Sequence, residues 1–116
     1  MPNVAGYDVV RDTSIVLGDY SFPLGFDQSI NVGIRSVLTY MVDPGTTGIT
    51  FKMSIINPDA TTEIVPSTAL PAQSGHARQE VIDANVLKKI DNKLRIQVTA
   101  GSGSFSDIVL LYQISI

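Results

Sequence analysis

The chain has 116 residues, of which 44% are hydrophobic, 16% are charged and none is cysteine, with a formal net charge of −3. That suffices for one domain with one core over residues 1–116. The missing cysteines exclude disulfides, thiolate metal sites and thiol nucleophiles, and no Lys/Arg-rich face offers itself to nucleic acid.

Charge well below the roughly 25% usual in soluble domains leaves fewer groups to keep a small surface wet. Part of that surface is therefore expected to be buried by other subunits, as in a homo-oligomer. The first six residues, Met1 to Gly6, have no basic region and no apolar run of signal-peptide length. The expectation is synthesis in a cytoplasm without a signal peptide, with a virion or other released particle as a destination. No stretch reaches transmembrane length without a polar break, so no membrane partner is expected.

In chain order, Tyr7–Arg11 and Ser14–Leu17 are β-type runs, and Gly18-Asp19 marks a turn. Ser21 to Phe26 is an apolar link. Its Pro23 cannot donate to a sheet ladder, which places it at an edge or a crossing between sheets. Phe22 and Phe26 are expected to pin it to the core. From Ile30 to Val42 the even positions are mostly apolar and the odd ones mostly polar or small, with Val37 and Met41 as exceptions. This is the pattern of a long half-buried strand with a bulge near Gly33–Ser36. Asp43-Pro44-Gly45 is a turn signal. Ile49, Phe51, Met53 and Ile55 then alternate with Thr50, Lys52 and Ser54, which predicts a hairpin with Tyr40 across from Phe51. Residues 57–80 are the least regular. Thr61–Val65 reads as a short strand, and Pro66, Pro71 and Gly75 break the rest into a long, nearly uncharged loop suited to contact with another subunit.

Arg78–Ile82 returns to extended structure. Asp83 suits a helix N-cap, and Ile82, Val86 and Ile90 follow at helical spacing. One or two helical turns are expected to plug one end of the fold. A strand over Lys93–Thr99, a glycine-serine hairpin turn at Gly101–Ser104 and a last strand from Phe105 to Ile116 complete the chain. In that last strand Ile108, Leu110, Tyr112, Ile114 and Ile116 line one face, while Val109 and Leu111 lie on the other. An apolar run on both faces marks a central or covered strand. Many short strands with frequent turns give an all-β, single antiparallel β-sandwich, with a jelly roll as the preferred topology and one short helical turn.

The run from Glu80 to Val98 resembles the closing segment of galactose-binding-like jelly-roll modules. Asp83, Leu87, Lys88, Asn92, Leu94, Ile96 and Val98 carry the likeness. The glycine usual before the asparagine is replaced, since Ile90-Asp91 stands there. The resemblance covers about a third of the chain and implies architecture, with no ligand site attached.

No catalytic set emerges, and neither a cofactor nor a metal is expected. His76, the single histidine, lies in a loop-like stretch without a surrounding motif. Asp8, Asp12 and Asp19 could supply oxygens to Ca²⁺ at one end of a sandwich, but the EF-hand pattern is missing and capping of turns is the preferred explanation. Gly101-Ser102-Gly103-Ser104 lacks the lysine and following helix of a phosphate loop. Two functions remain. The first is a non-catalytic structural subunit that oligomerises or decorates a larger particle, with a capsid or tail protein as partner. Its contacts would come from Thr61–Gln79, the Pro2–Tyr7 arm and sheet edges. The second is a lectin-like, carbohydrate-binding module with a glycan partner. Tyr40 and Tyr112 fall in the apolar phase of strands, leaving Tyr7 and Tyr20 for such contacts. The binding residues expected across the two readings are Tyr7, Tyr20, Thr61, Thr62, Gln73, His76 and Gln79.

Overall fold

The strands are longer than the sequence pattern suggests, because three of them run through positions that read as turns. A computed structural model describes residues 3–25, 30–72 and 75–115. Its elements are β1 (Asn3–Pro23), β2 (Ser36–Ile56), β3 (Thr61–Leu70), β4 (His76–Ile82) and β5 (Lys93–Ser115). All pairings are antiparallel, in the order β1-β5-β2-β3, with β4 also paired to β2.

β1, β2 and β5 each bend where their register shifts. The shifts fall at Val16/Gly18 in β1 and at Pro44/Ile49 in β2, both opposite residues 98–103 of β5. Dividing the three strands at their bends gives eight segments in chain order. The first sheet then reads 1-8-3-6 and the second 2-7-4-5, which is the jelly-roll arrangement of two interleaved Greek keys. β4 closes one edge of the first sheet, β3 the corresponding edge of the second, and β1 forms the other edge of both. β5 is central throughout, as its two apolar faces predict.

The predicted Tyr40/Phe51 hairpin and the Gly101–Ser104 hairpin turn are therefore corrected. Pro44 pairs with Gly103 and stands at the shift itself, where the ladder is already interrupted and its missing N–H is not needed. Residues 57–80 are likewise no long loop, because they hold both β3 and β4. Pro66 sits exposed in edge strand β3, between the pairs Met53–Val65 and Phe51–Thr68. An irregular edge is where a strand tolerates proline. The predicted strand from Ile30 begins only at Ser36. Ile30 makes a single bridge to Ile114, and turns fill residues 31–35.

Alternate residues of each sheet meet inside. Leu38, Tyr40 and Val42 of β2 face inward with Ile108, Leu110 and Tyr112 of β5. The second sheet contributes Phe51, Met53, Ile55, Leu94, Ile96 and Val98. At the bend three rings pack together. Phe51 meets Phe105 edge-on at 5.2 Å, and Tyr40 lies 6.4 Å from Phe51 and 6.0 Å from Phe105. Phe22 is buried as expected, while Phe26 lies outside the described residues.

Residues 83–92 do plug the open end, but as turns and not as helix. Val86 N donates to Asp83 O at 3.3 Å, and Asn85 has φ 68°, which no right-handed helix contains. Leu87 enters the core. Asn92 fixes the plug from within. Its side chain accepts from Lys88 N at 2.9 Å and donates to Lys88 O at 2.7 Å. Its carbonyl accepts from Leu24 N at 2.9 Å, and Asn57 Nδ2 donates to Val86 O at 2.9 Å. The exposed Asp83 carboxylate makes no hydrogen bond among the described residues, so the predicted cap is not formed.

Candidate functional site

The two sheets present unlike outer faces. On the second sheet, Lys52, Gln97 and Asp19 stand side by side across three strands, with Arg95 and Lys93 one and two pairs further along. Arg95 binds Asp19 as a fork, its Nε donating to Oδ1 at 2.9 Å and its Nη2 to Oδ2. That guanidinium holds the Asp19 carboxyl below its ordinary range, and the carboxylate raises Arg95 in turn. This face is built for water.

The first sheet differs. Directly opposed residues of an antiparallel pair share a face. The pairs Val37–Leu111 and Val37–Val81 therefore draw one apolar row across β5, β2 and β4. The next row is Val109, Thr39 and Gln79, and Met41 stands beside Ala77 beyond it. Val81 is 57% exposed and Leu111 43%. Two carboxylates border this face at the bend: Asp43, exposed on β2 and next after Met41 in the same outward row, and Asp107, which the bulge in β5 leaves over beside Thr39 and Met41.

A polar cluster lies inside β4. His76, Arg78 and Glu80 alternate with the exposed Ala77, Gln79 and Val81, and so turn toward the interior. Arg78 Nε donates to the Tyr40 hydroxyl at 3.2 Å, and that hydroxyl donates to Glu80 Oε2 at 3.4 Å. Burial, reinforced by the Glu80 charge, pushes the Tyr40 phenol up to about 12. Inward charges on an edge strand discourage pairing with a foreign strand. His76 Nε2 is buried without a hydrogen-bond partner among the described residues.

The residues singled out by sequence are scattered. Tyr7 lies in β1 opposite Leu111, in the first sheet, and its side chain is outside what is described. Tyr20 lies opposite Ile96 in the second sheet and packs against the core. Thr61 and Thr62 pair with Ile56 and Ile55 on β3, the opposite edge from Tyr20. Four strands spaced about 4.8 Å apart put roughly 14 Å between those edges. His76 points inward and Gln79 outward on β4. Gln73 is outside the described residues, as are the side chains of Asp8 and Asp12. No group of three potential metal ligands occurs among the described residues. A hollow of about 460 Å³ opens beside the plug between Leu24, Asn57 and Lys93, lined by the ends of β1 and β2 and the start of β5.

The apolar outer face does not emerge from any single strand's pattern, yet its signal is present in the sequence. Val37 and Met41 broke the alternation of one strand, and Val109 and Leu111 supplied the second apolar side of another. Only the register reveals that these exceptions share one face with Val81.

No protein-family model and no curated protein matches the sequence. Solved structures share the fold. The infectious bursal disease virus Gx strain structure superposes with a TM-score of 0.62 at 18% identity, over 98% of this chain and 33% of that one. This chain thus spans about a third of the length of the viral chains it is similar to. A pilus protein of Bacillus endospore appendages gives a TM-score of 0.53 at 11% identity, over 98% of this chain and 88% of that one. The CBM22-1 xylan-binding domain from Paenibacillus barcinonensis Xyn10C gives 0.53 at 9% identity, over 96% and 87%. Identities this low establish a shared jelly-roll β-sandwich and nothing narrower.

Proposed function

We propose that this chain is a non-catalytic structural subunit that assembles with copies of itself into a larger particle or appendage. The observation that carries this reading is the partly exposed apolar row of Val81, Val37 and Leu111 on the outer face of the first sheet, set against the charged outer face of the second. A lone domain in water gains nothing from leaving Val81 and Leu111 in one row with Val37. The similar structures from a virus and from endospore appendages support the reading. Partners from a capsid or tail belong to the same proposal. Light scattering on the untagged protein at several concentrations tests it. A stable oligomer is the expected result, and a monomer at every concentration rejects it.

The alternative is carbohydrate binding, favoured by the likeness to the xylan-binding domain. Against it, Tyr40 and Tyr112 are buried and Tyr20 packs on the core, so these rings offer little flat surface to a sugar. A glycan array decides it. Binding that Tyr7→Ala or Tyr20→Ala weakens would favour the lectin reading.

A further inference from the structure

We infer that β4 is a releasable cover, and that the β2 edge beneath it joins two copies of this chain into one continuous first sheet. This names a contact for the assembly reading and rests on that reading.

The hold on β4 is weak. It pairs with β2 alone. Of its four inward side chains, His76, Arg78 and Glu80 are polar, and only Ile82 joins the core. The two bonds between Tyr40 and β4 measure 3.2 and 3.4 Å, at or beyond the long end of the usual range. His76 Nε2 finds no partner among the described residues. A strand that buries a single apolar side chain opens at low cost. Ile82 and the plug behind it stay in place, so residues 76–80 lift away as a flap.

What β4 covers is suited to a strand. Val37–Val42 reads Val-Leu-Thr-Tyr-Met-Val, with no charge, glycine or proline. That is the composition of a segment that accepts another strand. Uncovered, its edge presents a row of unpaired backbone N–H and C=O groups.

The register selects a second copy as the occupant. Opposed residues of an antiparallel pair share a face. Two β2 edges related by a two-fold axis therefore match inward with inward only when a residue lies on the axis. With Thr39 on the axis, Thr39 faces its twin, Val37 faces the second copy's Met41, and Leu38 faces the second copy's Tyr40. Apolar inward side chains then replace the polar ones of β4. The same register sets Arg35 opposite the second copy's Asp43, once at each end. Both residues are exposed and odd-numbered, in phase with the outward Val37, Thr39 and Met41. Neither forms an ion pair among the described residues. Opposite charges facing across a strand pair stabilise it and fix its register. With Tyr40 on the axis, Asp43 would meet Val37 instead.

Thr39→Cys tests the axis, because the chain has no cysteine of its own. Opposed Cα atoms about 4.5–5.5 Å apart are within disulfide reach. Mild oxidation of Thr39→Cys should give a covalent dimer at twice 12.5 kDa on a non-reducing gel, while Gln97→Cys on the second sheet stays a single chain. In light scattering, Arg35→Asp and Asp43→Arg should each lower the wild-type mass at least two-fold, and the double variant should restore it. Far-UV circular dichroism verifies each fold. If Thr39→Cys misfolds, the charge pair decides. An oligomeric wild type overturns this contact, and leaves the assembly reading standing, if Thr39→Cys gives no covalent dimer or if both charge reversals keep the mass. A double variant no larger than the single ones overturns the register and the contact with it. A wild type monomeric at every concentration overturns the assembly reading as well.

Discussion

Gly101 and Gly48 meet backbone to backbone where the two sheets join. A Cβ on Gly101 would overlap the Gly48 carbonyl oxygen, and both residues have positive φ, 73° and 79°. The bend of β5 against β2 is therefore possible only without a side chain at this point. Gly101→Ala should destabilise the fold by at least about 2 kcal/mol, from left-handed backbone strain plus the clash. Urea denaturation measures it. A midpoint within error of the wild type would mean that the strands cross with room to spare.

The plug separates two residues that look alike in sequence. Asn92 is buried and its side chain bonds both backbone polar groups of Lys88. Asn92→Ala should cost about 2–4 kcal/mol, because it strands a backbone donor and acceptor near the core. Asp83→Ala should stay within about 0.5 kcal/mol, since the carboxylate is exposed and caps nothing. Equal denaturation midpoints for the two variants would contradict this division of roles.

Much of this fold could be read from residue pattern. The period-two runs at 38–42, 49–55, 94–98 and 108–114 gave the inward faces, and the two-sided run at 108–111 gave the central position of β5. What failed was local turn chemistry. Asp43-Pro44-Gly45 and Gly101–Ser104 carry strong turn signals, yet here they bend strands between sheets without reversing the chain. Composition reads the same in both cases, because a bend and a hairpin ask for the same backbone freedom. Choosing between them needs the long-range partner, such as Gly103 for Pro44, which lies 59 residues away. The helical turn failed for a similar reason. Ile82, Val86 and Ile90 have helical spacing, but Asn85 and Asp91 at positive φ make successive turns around Asn92. The apolar outer face stayed hidden because its residues come from three separate strands.

The Tyr40 hydroxyl links stability to alkaline pH. Its pKa rises from the ordinary 10.0 to about 12 through burial first and the Glu80 charge second. Above pH 10 the unfolded chain therefore loses a proton that the folded chain keeps, so stability falls as pH rises from about 10 to about 12. The stabilisation is complete below pH 10. Tyr40→Phe should remove this part of the pH slope while costing on the order of 1 kcal/mol at neutral pH from the lost Arg78 and Glu80 bonds. Urea midpoints at pH 8, 10 and 11 check it. An equally steep loss in Tyr40→Phe would assign the slope to other groups.

Phe105 tests what holds the bend from inside. Its ring is fully buried and packs edge-on against Phe51 at 5.2 Å and beside Tyr40 at 6.0 Å, so it touches both sheets where β2 and β5 cross from one to the other. Phe105→Ala should cost about 3–5 kcal/mol through lost burial and the cavity left between the other two rings. Phe105→Leu keeps most of the apolar volume and should cost less, about 1–2 kcal/mol. Leu17, on β1 at the same bend, is 62% exposed, so Leu17→Ala should change stability by under about 0.5 kcal/mol. Denaturation at constant slope ranks the three. A Phe105→Ala variant as stable as Leu17→Ala would show that the backbone crossing at Gly48 and Gly101, and not the ring cluster, keeps the two sheets folded together.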